Sequence, residues 1–302
     1  MKIIFISGVK FGHEILTHIL KHGHKISLVF SYDDSKKEIY SDYVSFDDVT
    51  KKYGVQNIKV NKINDIKNFR LIKNVKPDLI LVMGWSQLID EKILELPVIG
   101  TIGSHPTELP KYRGRAPIPW SILKNLKKSA LTFFWIDKGT DSGDLLNQKF
   151  FEIHKNDDAS TLYKKITKLG KQMLLKNLQK LEKGIITRIP QDESKFIEYW
   201  EKRTPDDGKI DWKKSAKEIH LLIRATTYPY PGAFTIFKDH KLIIWKAKLS
   251  SLQGTSGKIF QIGRNIMVGT KKGSISIQKA RFGSQDLPIS QIFKKSDEGT
   301  IL

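Results

Sequence analysis

The sequence predicts an α/β domain built on a mostly parallel β-sheet, followed by a smaller domain that is mostly β. Continuous apolar runs alternate with amphipathic, helix-length segments over the first two-thirds of the 302 residues. This pattern is typical of parallel strands covered by helices on both faces. Hydrophobic residues make up 39% of the chain, which favours a folded protein over a disordered one. We place the domains at residues 1–195 and 196–302.

A strand, a turn and a helix open the first domain. Residues 2–7 (KIIFIS) form an apolar run, and residues 12–22 repeat apolar side chains at helical spacing. Further apolar runs predict strands at 25–30, 78–83, 97–102 and 131–136, and helical candidates lie near 46–53, 65–74, 86–94 and 117–125. A long helix from about 159 to 184 closes the domain. Ligands of such sheets bind beyond the carboxyl ends of the strands, so we expect the functional site there.

The pattern changes from about Phe196 onward. The turn-rich segment YWEKRTPDDGKIDW precedes a predicted helix near 215–225. Short alternating strands follow at 233–238, 241–249, 257–262, 265–270 and 273–281, with GTKKGS and FKDHK suited to hairpin turns. We interpret this part as a small, mostly β domain of the open, oligonucleotide-binding (OB-like) barrel type.

The composition excludes several classes of site. The chain has no cysteine, which excludes disulfides, thiolate chemistry and zinc sites with sulfur ligands. The turn from Gly8 to Gly12 lacks the three-glycine dinucleotide fingerprint, and no Walker-type phosphate loop occurs, so we expect neither NAD nor ATP. No apolar segment approaches the ~18 residues that span a bilayer. We therefore expect a cytoplasmic protein without a membrane partner.

The net charge of +20 raises the question of a nucleic-acid partner. Eight of the 52 basic residues are arginine, and the lysines occur singly or in scattered pairs. Readers of nucleic acid favour the bidentate guanidinium of arginine. We interpret the charge as solvated surface. A polyanion-binding surface stays open as the alternative.

Two predicted loops carry the residues that suggest catalysis. His105 follows the strand predicted at 97–102, and Pro106 stiffens its loop. Asp141 lies between glycines in GTDSGD, after the strand predicted at 131–136. A carboxylate beside an imidazole fixes the tautomer and raises the basicity, as expected of a general base that acts on an amine or hydroxyl. The aspartates of this segment (Asp137, Asp141 and Asp144) do not match the spacing of a calcium loop, and we expect no metal.

The run HPTELPKYRGRAPIPW, followed by GTDSGD, resembles the formyltransferases that use 10-formyltetrahydrofolate. That family includes methionyl-tRNA formyltransferases, folate-dependent hydrolases and sugar N-formyltransferases. The later segments RTPDDGKIDW and IRATTYPYPGAF are also similar to the family, so the resemblance covers nearly the whole chain. It implies a Rossmann-like catalytic domain that binds folate, then a small barrel-like domain. It also implies 10-formyltetrahydrofolate as cosubstrate, with no metal.

The resemblance also implies roles for single residues. His105 and Asp141 match the family's histidine and aspartate. The family usually has an asparagine two residues before the histidine, which helps to hold the oxyanion, and this chain has Gly103 there. Ser104, the N–H groups of the loop or protonated His105 are candidates to replace it. The residues implied to receive the folate are Met83, Gly84, Trp85, Ser86, Gln87, Asp137 and Asp141. Without the resemblance, a methionine and a tryptophan at a strand end are core residues.

The acceptor predicted from these features is a nucleotide-linked amino sugar, a dTDP- or UDP-linked 4-amino or 3-amino sugar used for surface polysaccharide. In the tRNA enzymes a basic insertion follows the second strand, whereas residues 31–52 of this chain are rich in aspartate, which would repel phosphates. Arg113, Arg115 and Arg203 are candidates for the diphosphate, and Tyr228 or Tyr230 for stacking on the base, although Tyr-Pro-Tyr-Pro equally suits a packed hinge.

Three other functions stay open. Methionyl-tRNA formyltransferase is the main alternative, followed by a folate-dependent hydrolase. The third is a non-catalytic nucleic-acid binder. It is the least favoured of these functions, since we do not expect a nucleic-acid partner. A homodimer through the β domain is a further hypothesis.

Overall fold

The computed structural model describes residues 1–302, which divide into two compact units. The first unit consists of residues 1–117, 128–152 and 163–201. The second consists of residues 118–127, 153–162 and 202–302. The second unit therefore takes two short segments from before the boundary predicted at residue 195.

The elements up to residue 201 alternate between strand and helix. The strands are β1 (Ile3–Ile6), β2 (Ile26–Tyr32), β3 (Asn57–Val60), β4 (Leu79–Val82), β5 (Gly100–His105), β6 (Tyr112–Gly114), β7 (Lys128–Trp135), β8 (Leu145–Glu152) and β9 (Glu198–Trp200). The helices are α1 (Lys10–Lys21), α2 (Asp47–Tyr53), α3 (Ile66–Val75), α4 (Glu91–Leu94), α5 (Pro117–Leu123) and α6 (Ala159–Glu182). The longest helix, α6, is rich in lysine, and no helix combines the length and the hydropathy needed to cross a membrane.

A seven-stranded sheet in the order β3-β2-β1-β4-β5-β7-β8 forms the centre of the first unit. Strands β1 to β5 run parallel, and β7 and β8 are antiparallel to their neighbours. The predicted class, a mostly parallel sheet in an α/β domain, is confirmed. The strand order reverses between β1 and β4, which is where open α/β sheets bind ligands beyond the carboxyl ends.

The core of this sheet comes from strands whose residues are apolar at every position. All four residues of β1 and of β4 are buried, because helices cover both faces of a parallel sheet. Helix α1 packs its apolar stripe, which includes Ile15 and Leu16, against the sheet with no exposed surface on either residue. Full burial of one such side chain contributes about 1.5–3 kcal/mol.

The second unit contains an antiparallel sheet, which confirms the predicted mostly β domain. Its elements after residue 201 are α7 (Ala216–Thr226), β10 (Ala233–Phe237), β11 (His240–Ser250), β12 (Ile259–Ile262), β13 (Asn265–Gly269), β14 (Ser274–Phe282), β15 (Gln285–Leu287) and α8 (Ile289–Ile292). The strand order is β10-β11-β14-β13-β12, with β15 paired to β14. Helix α7 begins with a capping box between Ser215 and Glu218 and packs its buried face on this sheet.

Candidate active site

His105 is the last residue of β5, where the sequence predicts a loop. The strand lies three residues later than predicted, so the imidazole sits at the carboxyl edge of the sheet and is only 5% exposed. Its Nδ1 lies 3.6 Å from Oδ2 of Asp141. Its Nε2 is buried without a hydrogen-bond partner. Because an unpaired buried polar atom costs free energy, this nitrogen is suited to bond with a substrate group.

Asp141 is held in a tight turn between β7 and β8. Its φ of +54° lies in the left-handed region. A Cβ on Gly143 would lie 1.8 Å from the carbonyl oxygen of Trp135, so only glycine fits there. Oδ1 of Asp137 accepts bonds from the Gly139 N–H at 3.0 Å and the Ser142 hydroxyl at 2.9 Å. Asp137, which we expected to contact folate, therefore uses one carboxylate oxygen to build this turn.

The KYRGR segment supplies the third part of the site. Strand β6 pairs with β9, and the N–H of Gly114 donates to Oδ2 of Asp141 at 2.9 Å. Gly114 has a φ of +106°, and a Cβ there would lie 2.3 Å from the carbonyl oxygen of Trp200. Tyr112 stacks on Trp200 with ring centroids 4.6 Å apart. This packing fixes the N–H that orients the carboxylate.

A side chain at position 103 would crowd its neighbours. A Cβ on Gly103 would lie 2.9 Å from Cγ1 of Ile136 and 3.1 Å from Cε1 of Phe134. The asparagine that the family usually has here would require both neighbours to move. Ser104 does not replace it beside His105, because consecutive residues of a strand point to opposite faces of the sheet. The structure therefore does not bring Ser104 and His105 together.

The loop after β4 contains the residues predicted to receive folate. Trp85 stacks on Tyr32 with ring centroids 3.9 Å apart, and Tyr32 stacks on Tyr40 at 4.4 Å. The N–H of Ser86 donates to the Tyr32 hydroxyl at 3.0 Å, and burial raises the pKa of that hydroxyl. The indole Nε1 of Trp85 is buried without a partner. These contacts fix the loop backbone at the carboxyl edge of β4.

Met83 and Gln87, in the same loop, are occupied by contacts within the protein. Met83 has no exposed surface and belongs to the core. Gln87 accepts from the N–H of Ile63 at 3.2 Å and donates to the carbonyl of Asn61 at 2.7 Å. Gly84, with a φ of +69°, allows the chain to turn away from the sheet. The helix predicted at 86–94 is reduced to α4, which leaves residues 83–90 as the loop.

The three arginines predicted to bind a diphosphate have different environments. Arg113 is 4% exposed and is bound by Glu193 and Gln191, which argues against the role we predicted for it. Arg203 donates to the carbonyl of Asp207 at 2.8 Å, and burial lowers the pKa of its guanidinium. Arg115 is exposed and makes one long contact, 3.5 Å from its Nη2 to the carbonyl of Ser86.

The two tyrosines predicted to stack on a base lie in the second unit. Tyr228 is 58% exposed and precedes a cis proline. Tyr230 is half-buried, and its N–H donates to the carbonyl of Thr227 at 3.1 Å. This turn follows α7 directly.

The aspartates of residues 31–52 are largely paired within the first unit. Lys59 bridges two of them, with its Nζ 2.8 Å from Oδ2 of Asp34 and 2.6 Å from Oδ2 of Asp47. These two carboxylates raise the pKa of Lys59. Asp48 lies 2.9 Å from Nε2 of His13.

Two more aspartates of this segment are also used internally. Asp33 accepts from the N–H of Ser35 at 3.0 Å and caps a short helical turn. Asp42 accepts from the hydroxyl of Tyr163 at 2.8 Å. Each of the five aspartates of this segment therefore has a hydrogen-bond or ion-pair partner within the first unit.

Comparison with known proteins identifies relatives over nearly the whole chain. Residues 1–178 match the family model described as formyl transferase, and residues 202–297 match the formyl transferase C-terminal domain. A methionyl-tRNA formyltransferase from Alkaliphilus oremlandii is 36% identical over 94% of this chain and 93% of its own length. Another, from Thermodesulfovibrio yellowstonii, is 32% identical over 91% and 89%.

A solved structure has the same fold. HypX from Aquifex aeolicus, in complex with tetrahydrofolic acid, superposes with a TM-score of 0.69 at 18% identity. The match covers 97% of this chain and 46% of HypX.

These relatives overturn the prediction that the acceptor is a nucleotide-linked amino sugar, and with it the assignment to polysaccharide synthesis. They favour methionyl-tRNA, the alternative that the sequence analysis left open. The aspartates of residues 31–52, which we expected to repel phosphates, have partners within the first unit that the sequence does not show. Lys59 bridges two of them, and His13 and the hydroxyl of Tyr163 bind one each.

Proposed function

Because the chain belongs to the formyl transferase family, we propose that it transfers the formyl group of 10-formyltetrahydrofolate to the amino group of methionyl-tRNA. The similarity to methionyl-tRNA formyltransferases over more than nine-tenths of the chain carries this proposal. The net charge of +20 supports a polyanionic acceptor.

The pair of His105 and Asp141 supplies the proton transfer. Asp141 faces Nδ1, which favours the tautomer with a proton there and leaves Nε2 as an acceptor. The amine nitrogen attacks the formyl carbon to give a tetrahedral intermediate, and Nε2 of His105 accepts the proton that the amine loses. The bond from the formyl carbon to N10 of the folate then breaks, and the imidazolium returns the proton to N10. Asp141 balances the imidazolium charge between these steps.

Arg115 is the exposed guanidinium next to Gly114, the residue that holds Asp141. Its long contact with Ser86 shows that it reaches the loop after β4. We assign it to an anionic group of the substrates, such as a phosphate at the acceptor end of the tRNA, since planar guanidinium groups suit phosphate oxygens.

The test is a formylation assay with purified protein, 10-formyltetrahydrofolate and methionyl-tRNA. We expect N-formylmethionine after the tRNA ester is hydrolysed, and a formylation rate at least about 100-fold lower in the His105→Ala variant. Free methionine and a dTDP-linked amino sugar serve as control acceptors. Formylation of the sugar in preference to methionyl-tRNA would falsify the proposal.

A further inference from the structure

Gln191 holds the turn that carries Asp141 with both hydrogens of its side-chain amide. Its Nε2 donates to the main-chain carbonyl of Asp141 at 2.8 Å and to that of Gly143 at 2.7 Å. Its Oε1 accepts from Nη2 of Arg113 at 2.8 Å. These partners fix the orientation of the amide, because a flipped amide would set its oxygen against two carbonyl oxygens and its NH₂ against a guanidinium.

Arg113 locks Gln191 in place. Its guanidinium donates to Glu193, with Nη1 3.1 Å from Oε2, and lies 5.5 Å from the ring centroid of Phe196. Because Arg113 is 4% exposed and already bound by a carboxylate, an amide and a ring, its side chain has little rotational freedom.

The main chain of Asp141 requires such support. Its φ of +54° is unfavourable for a residue that has a Cβ. Its carboxylate is also fixed by the N–H of Gly114 at 2.9 Å. Displacement of a catalytic group by about 1 Å can cost about 100-fold in rate. The two hydrogen bonds from Gln191 to main-chain carbonyls therefore hold the turn that places the Asp141 carboxylate.

We infer that Gln191, locked by Arg113, is a positioning residue for Asp141. It holds the main chain of residues 141–143 so that the carboxylate faces Nδ1 of His105. The inference rests on the proposed formyl transfer, but it does not depend on which amine receives the formyl group.

Gln191→Glu tests the inference, because it keeps the size of the side chain and replaces the donating NH₂ with an acceptor oxygen. We expect kcat for formylation of methionyl-tRNA to fall about 10- to 100-fold, the range seen for residues that orient metal ligands through a hydrogen bond. KM for both substrates should change less than about twofold, since the lost contacts are made within the protein. Nitrogen-15 NMR of His105 gives a second readout: we expect the Nδ1–H tautomer in the wild type and a mixture of tautomers in the variant.

Gln253→Glu is the matched control. Oε1 of Gln253 accepts from the N–H of Gly273 at 3.0 Å in the second unit, so the same substitution there should leave kcat unchanged. Gln191→Met removes the same donors without adding charge and replaces Gln191→Glu if that variant does not fold.

A folded Gln191 variant with kcat within about threefold of the wild type and an unchanged His105 spectrum overturns the inference. If the wild type formylates a different amine, Gln191→Glu must still slow that reaction. If the wild type transfers no formyl group, comparing the His105 spectra of the wild type and the Gln191 variant still tests whether Gln191 positions Asp141. The acceptor assignment and this inference can therefore fail separately.

Discussion

Placing an asparagine at position 103 is predicted to destabilise the first unit by about 1–3 kcal/mol, the usual cost of overpacking a core. The new Cβ would lie 2.9 Å from Cγ1 of Ile136, 3.0 Å from its Cδ1 and 3.1 Å from Cε1 of Phe134. Carbon atoms pack best at about 3.5–4.0 Å, so both neighbours must move by at least a few tenths of an ångström. Phe134 is 4% exposed and pairs with Gly103 across the sheet, which leaves it little space to move.

Thermal denaturation measures this cost. In a domain of this size each kcal/mol lowers Tm by about 2–4 °C, so Gly103→Asn should lower Tm by about 2–12 °C. Gly103→Ala, which adds only the Cβ, should lower it less. Combining Gly103→Asn with Ile136→Ala should recover part of the loss, because the colliding Cγ1 and Cδ1 atoms are removed. A Gly103→Asn variant as stable as the wild type, or one that shows no coupling with Ile136→Ala, would refute the reasoning.

Three further predictions concern the site and its charges. His105→Ala should lower kcat about 10²- to 10⁴-fold, the usual contribution of a general base, while tetrahydrofolate affinity measured by calorimetry changes little; weaker folate binding with unchanged kcat would contradict its role. Burial raises the pKa of the Asp42 carboxyl from its usual 3.8, so the folded state favours the protonated form and loses stability as pH rises through the raised pKa. Asp42→Asn should therefore have a higher Tm than the wild type near neutral pH, with the difference closing as pH is lowered toward about 4; a constant difference at all pH values would disprove this. Lys59→Ala leaves the two carboxylates that it bridges without a positive charge beside them. KM for methionyl-tRNA should therefore rise several-fold at low salt and approach the wild-type value at high salt. An unchanged KM at low salt would show that residues 31–52 lie away from the tRNA.

Local patterns were sufficient for most of the fold. The central strands β1 and β4 are apolar at every position, and helix α1 repeats apolar residues at helical spacing, so these elements were recognisable without tertiary information. Strands β3 and β8 were missed because they are the two edge strands of the sheet and carry polar residues such as Asn57 and Lys149. The helix predicted at 86–94 was too long because Trp85 and Gln87 make tertiary contacts that hold the preceding residues as a loop.

Some residues of the site were likewise identifiable from local sequence, and others were not. His105 and Asp141 were identified from their loops and from the family resemblance, and the structure brings them together at 3.6 Å. The environment of Arg113 was not predictable, because its type suits a phosphate while its partners, Glu193 and Gln191, lie about 80 residues away in the chain. Gln191 was not predicted at all, since nothing in its local sequence distinguishes it from a surface glutamine.

The sequence by itself determined the fold class, the membership of the formyl transferase family and the two residues proposed to transfer the proton. These follow from periodicities and motifs that are contiguous in the chain. Only the tertiary structure decided which charged groups are available to a ligand. It showed that Arg113 and the aspartates of residues 31–52 are bound within the protein, and that a side chain at position 103 would crowd Ile136 and Phe134. The physical reason is that the availability of a charge depends on its partner and on the surrounding volume, and residues distant in the chain supply both.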